Sequence, residues 1–113
     1  MNGPERKIEN EIINRLRAKG MMVVWLTERG RRGWPDLTVM YGGKAVFVEV
    51  KKPGGSIRAQ QLDRQRELSS HGMWACICDD ADDAVERVTE WFEKFYNLPQ
   101  PTGSTKKGSR TRS

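Results

Sequence analysis

The fold is decided by residues 36–51, which read DLTVMYGGKAVFVEVK. Two runs rich in β-branched and aromatic residues flank the pair Gly42-Gly43, a pattern typical of two antiparallel strands joined by a two-residue turn. The predicted strands are Asp36–Tyr41 and Lys44–Lys51. A turn of this kind places Tyr41 opposite Lys44, and counting outward from that pair brings Asp36 opposite Glu49.

This register sets two carboxylates face to face in an otherwise apolar hairpin. Directly opposed side chains have Cβ atoms roughly 4.5–5.5 Å apart, a distance at which like charges destabilise a strand pair. Asp36 and Glu49 therefore need a cation or a shared proton between them, and a hard divalent metal ion is the simplest such cation. Lys51 lies two residues beyond Glu49 and on the same strand face. A buried ion pair between Lys51 and one carboxylate is the alternative without chemistry, although it leaves the second carboxylate unexplained.

The segments around the hairpin complete the order αβββαβα. The predicted elements are a helix over Glu5–Lys19, a strand over Met21–Thr27, the two hairpin strands, a helix over Arg58–Ser70, a strand over Met73–Cys78 and a final helix. Ser56 is placed to cap the second helix. The final helix is expected to carry one apolar stripe, made of Ala84, Val85, Val88, Trp91, Phe92 and Phe95. The order predicts an α/β domain with a mixed sheet (α+β) over residues 1–98.

The first helix carries a carboxylate on its apolar side. At about 100° per residue, Glu9 lies roughly 20–60° from Ile12, Ile13 and Leu16. A glutamate in that direction needs a partner, which a metal ion or Lys51 would supply. The alternative is a carboxylate that reaches past the end of the helix to solvent.

The basic charge of the chain is concentrated at its C-terminus. The formal net charge is +5, and four of the positive charges lie in residues 99–113, PQPTGSTKKGSRTRS, which include no large apolar residue. This composition predicts a disordered basic tail that either tracks phosphates or serves as a solubilising extension. The chain has no apolar run long enough to span a bilayer and no secretory signal in its first residues, so a cytoplasmic protein without a membrane partner is expected.

Other polar and sulfur-containing residues have structural interpretations. Cys76 and Cys78 are expected to be buried reduced thiols whose side chains point to opposite faces of their strand. The acidic run before the last helix is expected to cap that helix and complement its dipole; it consists of Asp79, Asp80, Asp82 and Asp83. His71, the only histidine, is expected at the exposed end of the second helix, which excludes histidine–metal chemistry as the main mechanism.

The candidate residues form a family pattern. The chain has Glu9 in the first helix, then Gly33-Trp34-Pro35-Asp36, then Phe47–Lys51, and Gln61 ten residues after the lysine. This set resembles the PD-(D/E)XK nuclease superfamily and, more closely, its VRR-NUC (virus-type replication-repair nuclease) family. Trp34 departs from the family pattern, which usually has a smaller aliphatic residue there. The resemblance implies a restriction-endonuclease-like αβββαβα core.

The resemblance also implies roles for these residues. Mg²⁺ or Mn²⁺ would be held by Asp36, Glu49 and the main-chain carbonyl of Val50. Glu9 would bind the same ion through water, or would bind a second ion. Lys51 would act on the attacking water and the phosphate, and Gln61 would assist it, unless that amide is simply a helix cap. No organic cofactor is expected.

A basic loop leads directly to Asp36. Its arginines are expected to bind phosphates, with a solvated basic loop as the alternative; they are Arg29, Arg31 and Arg32. Trp34 is expected either to stack at a DNA junction or to pack locally. Lys52 and Arg58 are further candidates for binding phosphate.

The function expected from these features is divalent-metal-dependent, structure-selective cleavage of DNA. Family members of this size resemble homodimeric, phage-encoded Holliday junction resolvases. Flap- or nick-directed cleavage is an alternative within the same fold. A non-catalytic DNA-binding module is an alternative from another class, although opposed carboxylates beside phosphates would not help a protein that only binds.

Overall fold

The predicted order of elements is confirmed by a computed structural model of the chain, which describes residues 3–26 and 34–98. The elements are α1 (Pro4–Ala18), β1 (Met22–Trp25), β2 (Leu37–Tyr41), β3 (Lys44–Val50), α2 (Ala59–Ser70), β4 (Trp74–Cys78) and α3 (Ala81–Glu93). Their ends lie within one or two residues of the predicted ones, a difference that is usual for frayed helix and strand termini. The predicted tail at 99–113 and the arginines of the β1–β2 loop lie outside the described residues.

The β2–β3 hairpin has the predicted register. Tyr41 pairs with Lys44, and the pairing continues to Leu37 opposite Val48. Both turn residues have positive φ, 60° at Gly42 and 86° at Gly43, which is the backbone of a type I′ turn. Tyr96 closes over this turn, because its hydroxyl donates a hydrogen bond to the carbonyl oxygen of Gly42 and its ring occupies the space of any side chain there.

The four strands form one mixed sheet in the order β1-β2-β3-β4. The β1–β2 and β2–β3 pairs are antiparallel, whereas β3 and β4 are parallel and joined by the α2 crossover. The outer edge of β4 is covered by two side chains. Gln65 Nε2 donates to the carbonyl oxygen of Ala75 at 2.7 Å, and Arg87 Nη1 donates to that of Ile77 at 3.3 Å.

The hydrophobic core lies on one face of the sheet, under α1 and α3. Its fully buried side chains include Ile12, Leu16, Val48, Val88 and Phe92. The opposite face of the sheet is covered by α2, which lies near β4 and the end of β3. The side chains of β3 alternate between these two faces. Val48 and Val50 point into the core, while Glu49 and Lys51 contact Gln61 of α2.

Two predicted helix details are wrong. Helix α2 begins at Ala59 with Arg58 at its N-cap, and Gln61 rather than Ser56 caps it, accepting a hydrogen bond from the Arg58 N–H at 2.9 Å. Helix α3 ends at Glu93, and Phe95 beyond it is 48% exposed. The chain turns there to bring Tyr96 back over the hairpin, so Phe95 leaves the buried stripe.

The predicted orientation of the cysteines is also wrong. Residues two apart in a strand share a face, and Cys76 Sγ lies 3.7 Å from Cys78 Sγ in the core. Both are free, buried thiols, as expected. Arg87 Nη1 lies 3.4 Å from Cys78 Sγ. The contact with Cys76 and then the guanidinium of Arg87 lower the pKa of Cys78, and the same contact and burial raise that of Cys76.

Two further expectations, the cap of α3 and the exposure of His71, are confirmed. Asp80 is the N-cap of α3, and its carboxylate accepts a hydrogen bond from the Asp83 N–H at 2.9 Å. His71 is exposed at the end of α2. Within residues 3–26 and 34–98, none of the helices has the length and apolar character needed to cross a membrane.

Candidate active site

Asp36 and Glu49 meet where β2 begins and β3 ends. Continuing the hairpin register by one pair beyond Leu37 and Val48 brings them opposite each other. Asp36 Oδ2 accepts a hydrogen bond of 2.7 Å from the Val50 N–H. Because the N–H and C=O of a strand residue point to the same side, the carbonyl of Val50 also faces Asp36. Glu49 is buried and Asp36 is half-buried.

Gln61, in the first turn of α2, connects Glu49 to Lys51. Its Nε2 donates to Glu49 Oε2 at 2.5 Å, and its Oε1 accepts from Lys51 Nζ at 3.1 Å. The same Oε1 caps the helix through the Arg58 N–H, so both interpretations of this amide, helix cap and partner of the lysine, describe real contacts. In the part of the chain that the structure describes, Lys51 is held by an amide rather than by a direct ion pair with a carboxylate.

Glu9 approaches this pair from α1. It is buried on the same stripe as Ile12, Ile13 and Leu16, as the helical spacing predicts. Arg6 Nη1 lies 3.7 Å from Glu9 Oε1, and the side chain of Trp25 lies close enough to lower the pKa of the same carboxyl group.

The pKa values of all three carboxylates are raised, in each case chiefly by burial. Burial, followed by the charge of Asp36, raises the pKa of Glu49 from 4.5 to about 8, although Lys51 opposes this. Burial also raises the pKa of Asp36, against the hydrogen bond from Val50 and the charge of Lys51. The pKa of Glu9 is raised by burial and then by Asp36, and lowered by Arg6. The site is therefore short of positive charge.

The chemistry of these donors fits a hard divalent cation. Glu49 Oε1 is buried and, within residues 3–26 and 34–98, has no hydrogen-bond partner. A buried carboxylate oxygen without a partner is costly. Within 3–26 and 34–98, no three acidic, histidine or cysteine side chains lie close enough to ligate one ion together. The pair Asp36 and Glu49, with the Val50 carbonyl, remains, and Mg²⁺ is commonly bound by one or two carboxylates with waters and phosphate oxygens completing its shell. Glu9 lies beside this set.

The predicted DNA-binding residues fall into separate groups. Lys52 and Arg58 are exposed, whereas the loop arginines Arg29, Arg31 and Arg32 lie outside the described residues. Trp34 is half-buried, and the guanidinium carbon of Arg64 lies 5.0 Å from the centroid of its ring. Trp34 therefore contacts α2 in this structure, and its stacking on a DNA junction stays a prediction.

Three residues near the site were missed by sequence reasoning. Arg64 follows Gln61 by three positions, so helical spacing could have placed the two on one face of α2. Arg6 precedes Glu9 by the same interval and makes the ion pair described above. Trp25 gave no signal beyond being an aromatic residue at the end of a strand.

Comparisons with known proteins agree with this fold. The chain is 33% identical over 79 residues to "Putative nuclease p44" of Acyrthosiphon pisum secondary endosymbiont phage 1, a match that covers 69% of this chain and 85% of the relative. A solved structure described as "VRR_NUC domain" aligns with a TM-score of 0.65 and 26% identity over 82% of this chain and 98% of its own. A second, "VRR_NUC domain protein", aligns with the same TM-score at 18% identity, over 82% of this chain and 91% of its own, and shows the fold alone. No family model matches the chain.

An αβββαβα fold with carboxylates and a lysine at one end of its mixed sheet defines a restriction-endonuclease-like nuclease fold. The relatives narrow this class further. The chain belongs to the VRR-NUC family.

Proposed function

We propose that the protein is a divalent-metal-dependent DNA endonuclease with its active site at Asp36, Glu49, Lys51 and Gln61, and with Glu9 beside it. The observation that carries this proposal is the buried Glu49 Oε1, which has no hydrogen-bond partner among the residues that the structure describes. It belongs to a carboxylate pair in which the pKa of both members is raised. A purely structural site would have paired this oxygen, whereas a metal-binding site leaves it available.

The residues of the chain have distinct tasks in this proposal. Asp36, Glu49 and the Val50 carbonyl hold Mg²⁺ or Mn²⁺, which supplies Lewis-acid polarisation of a phosphodiester when bound. Lys51 places a positive charge where negative charge develops on the phosphate. Gln61 fixes the direction of Lys51 Nζ and ties it to Glu49, so the lysine and the metal-binding carboxylate keep one relative position.

The proposed substrate is branched DNA, with the four-way junction as the leading case and a homodimer as the active form. The relative from a phage carries a name that describes a nuclease, which supports DNA as the substrate. Two symmetric nicks across a junction require two active sites, and each chain supplies one. The proposed phosphate contacts are the basic residues Arg29, Arg31, Arg32, Lys52 and Arg58.

The test compares cleavage by the wild type with that by Asp36→Asn in the presence of Mn²⁺. Substrates are labelled four-way, flap, nicked and linear duplex DNA. The asparagine oxygen still accepts the Val50 N–H, so the variant should fold and bind DNA in Ca²⁺ but lose cleavage. Asp63→Asn is the matched control, because Asp63 is exposed on α2 and pairs only with Arg66 in the contacts described.

The outcomes separate the alternatives. Paired nicks on opposing arms, with a dimer by gel filtration, support junction resolution, whereas cleavage only at flaps or nicks assigns the enzyme to that class. Full activity in Asp36→Asn would remove this residue from the site. DNA binding that is indifferent to Ca²⁺, with no cleavage of any substrate, would favour a non-catalytic binding module.

A further inference from the structure

An exposed aromatic residue and an arginine lie beside the carboxylates, outside the residues assigned above. Trp25 is the last residue of β1 and is 44% exposed, although Val23 on the same strand face is 1% exposed. The guanidinium carbon of Arg6 lies 4.4 Å from the centroid of the Trp25 ring. Arg6 is in the first turn of α1, so the helix and the edge strand each contribute one member.

This pair is held next to the site by side-chain and main-chain contacts. The side chain of Trp25 lies close enough to Glu9 to lower the pKa of its carboxyl group, and Arg6 Nη1 lies 3.7 Å from the same carboxylate. The next residue, Leu26, donates its N–H to the carbonyl oxygen of Asp36 at 2.9 Å. The indole is therefore kept beside the carboxylates, while much of the residue remains open to solvent.

We propose that Arg6 and Trp25 form a subsite for one unpaired nucleotide of DNA next to the cleaved bond. This inference rests on the proposed function and deepens it by naming residues that would recognise an unpaired nucleotide in the substrate. A nucleobase stacks on the indole, and the phosphate beside it binds the guanidinium. Both contacts are sequence-tolerant, since every base has an aromatic face and every nucleotide a phosphate.

The position of Trp25 gives the subsite its selectivity. In a continuous duplex both faces of every base are covered by neighbouring bases. The indole of Trp25, at the end of β1, therefore has no free base face to contact in such DNA. Branch points, flaps and gaps present unpaired nucleotides at no further cost in unstacking. The subsite therefore favours DNA whose pairing is interrupted at the cut.

The test measures DNA binding in Ca²⁺ with the Asp36→Asn protein, which isolates binding from cleavage. Two DNAs of equal length are compared, one fully paired and one with unpaired nucleotides at its centre. Adding Trp25→Leu should weaken binding to the interrupted DNA by roughly 5- to 150-fold, the range measured for loss of one base–aromatic stack. Binding to the paired DNA should change little. Trp25→Phe should restore most of the preference.

Arg6→Gln provides a second measurement that does not depend on the indole. For the interrupted DNA, this variant should reduce the steepness of the plot of log affinity against log salt concentration by about one. Lys7→Gln, at the exposed neighbouring position, is the control. It should change the slope by the same amount for both DNAs, if it changes it at all. Equal losses on both DNAs, or none on either, would overturn the subsite. If the wild type cleaves no DNA in Mn²⁺, the proposed function fails, and the Ca²⁺ preference still decides the subsite on its own.

Discussion

Replacing Glu49 with Gln should stabilise the metal-free protein at alkaline pH and leave it nearly unchanged in acid. Burial raises the pKa of Glu49 from 4.5 to about 8 in the folded protein. Between these values the folded state keeps a proton that the unfolded state has lost, so the free energy of unfolding falls as the pH rises. This loss of stability is absent below about pH 4.5, the ordinary pKa, and complete above about pH 8, the pKa in the folded protein. Gln is a neutral isostere and does not have this pH dependence.

The size of the effect follows from the shift. Each unit of pKa difference between the folded and unfolded states corresponds to about 1.4 kcal/mol. At about pH 9 the free energy of unfolding of Glu49→Gln should therefore exceed that of the wild type by about 3–6 kcal/mol. For a domain of this length the melting temperatures should differ by roughly 10–25 °C. Thermal unfolding in EDTA at about pH 5 and about pH 9, followed by circular dichroism, measures both the difference and its sign.

Divalent cations should reverse the order of the two proteins. Saturating Ca²⁺ stabilises the wild type through the charged carboxylate pair, because a ligand that binds only the folded state raises its stability. The Gln variant should gain much less. Glu93→Gln, at an exposed position at the end of α3, is the control and should follow the wild type at every pH. Parallel pH profiles for wild type and Glu49→Gln would refute the reasoning that this carboxylate is desolvated and reserved for a cation.

Two further perturbations test features of the fold around the site. Arg64→Leu removes the guanidinium from the Trp34 ring. It should lower kcat more than it raises KM, because Trp34 lies two residues before Asp36 of the proposed active site. Arg66→Leu, exposed on the same helix, is the control and should leave both constants unchanged. Cys76 and Cys78 should resist a thiol reagent in the native protein and react, two per chain, after unfolding, and rapid labelling of the native protein would contradict their burial.

The sequence predicts the hairpin and its carboxylates well because the signals are local. A Gly-Gly turn fixes the pairing of the strands it joins, so the approach of Asp36 to Glu49 follows by counting. Helical spacing likewise places Glu9 on the buried side of α1. These predictions need no knowledge of how the helices cross the sheet.

Contacts between distant segments are not available from such counting. The stacking of Arg64 on Trp34 and of Arg6 on Trp25 depends on the positions of α2 and α1 over the strands, which no short-range pattern fixes. The N-cap of α2 shows the same limit. Ser56 is a favourable capping residue by type, yet the helix begins at Ala59, so Arg58 is its N-cap residue and the side chain of Gln61 makes the capping hydrogen bond.

The covered edge of β4 limits how the sheet can grow. With Gln65 and Arg87 occupying the outward carbonyl oxygens of Ala75 and Ile77, an incoming strand finds these acceptors already used. A second copy that extended the sheet past β4 would first have to displace both side chains from these oxygens. Growth of the sheet at this edge is therefore disfavoured, and a partner that approached β4 would meet side chains rather than a free row of carbonyl groups.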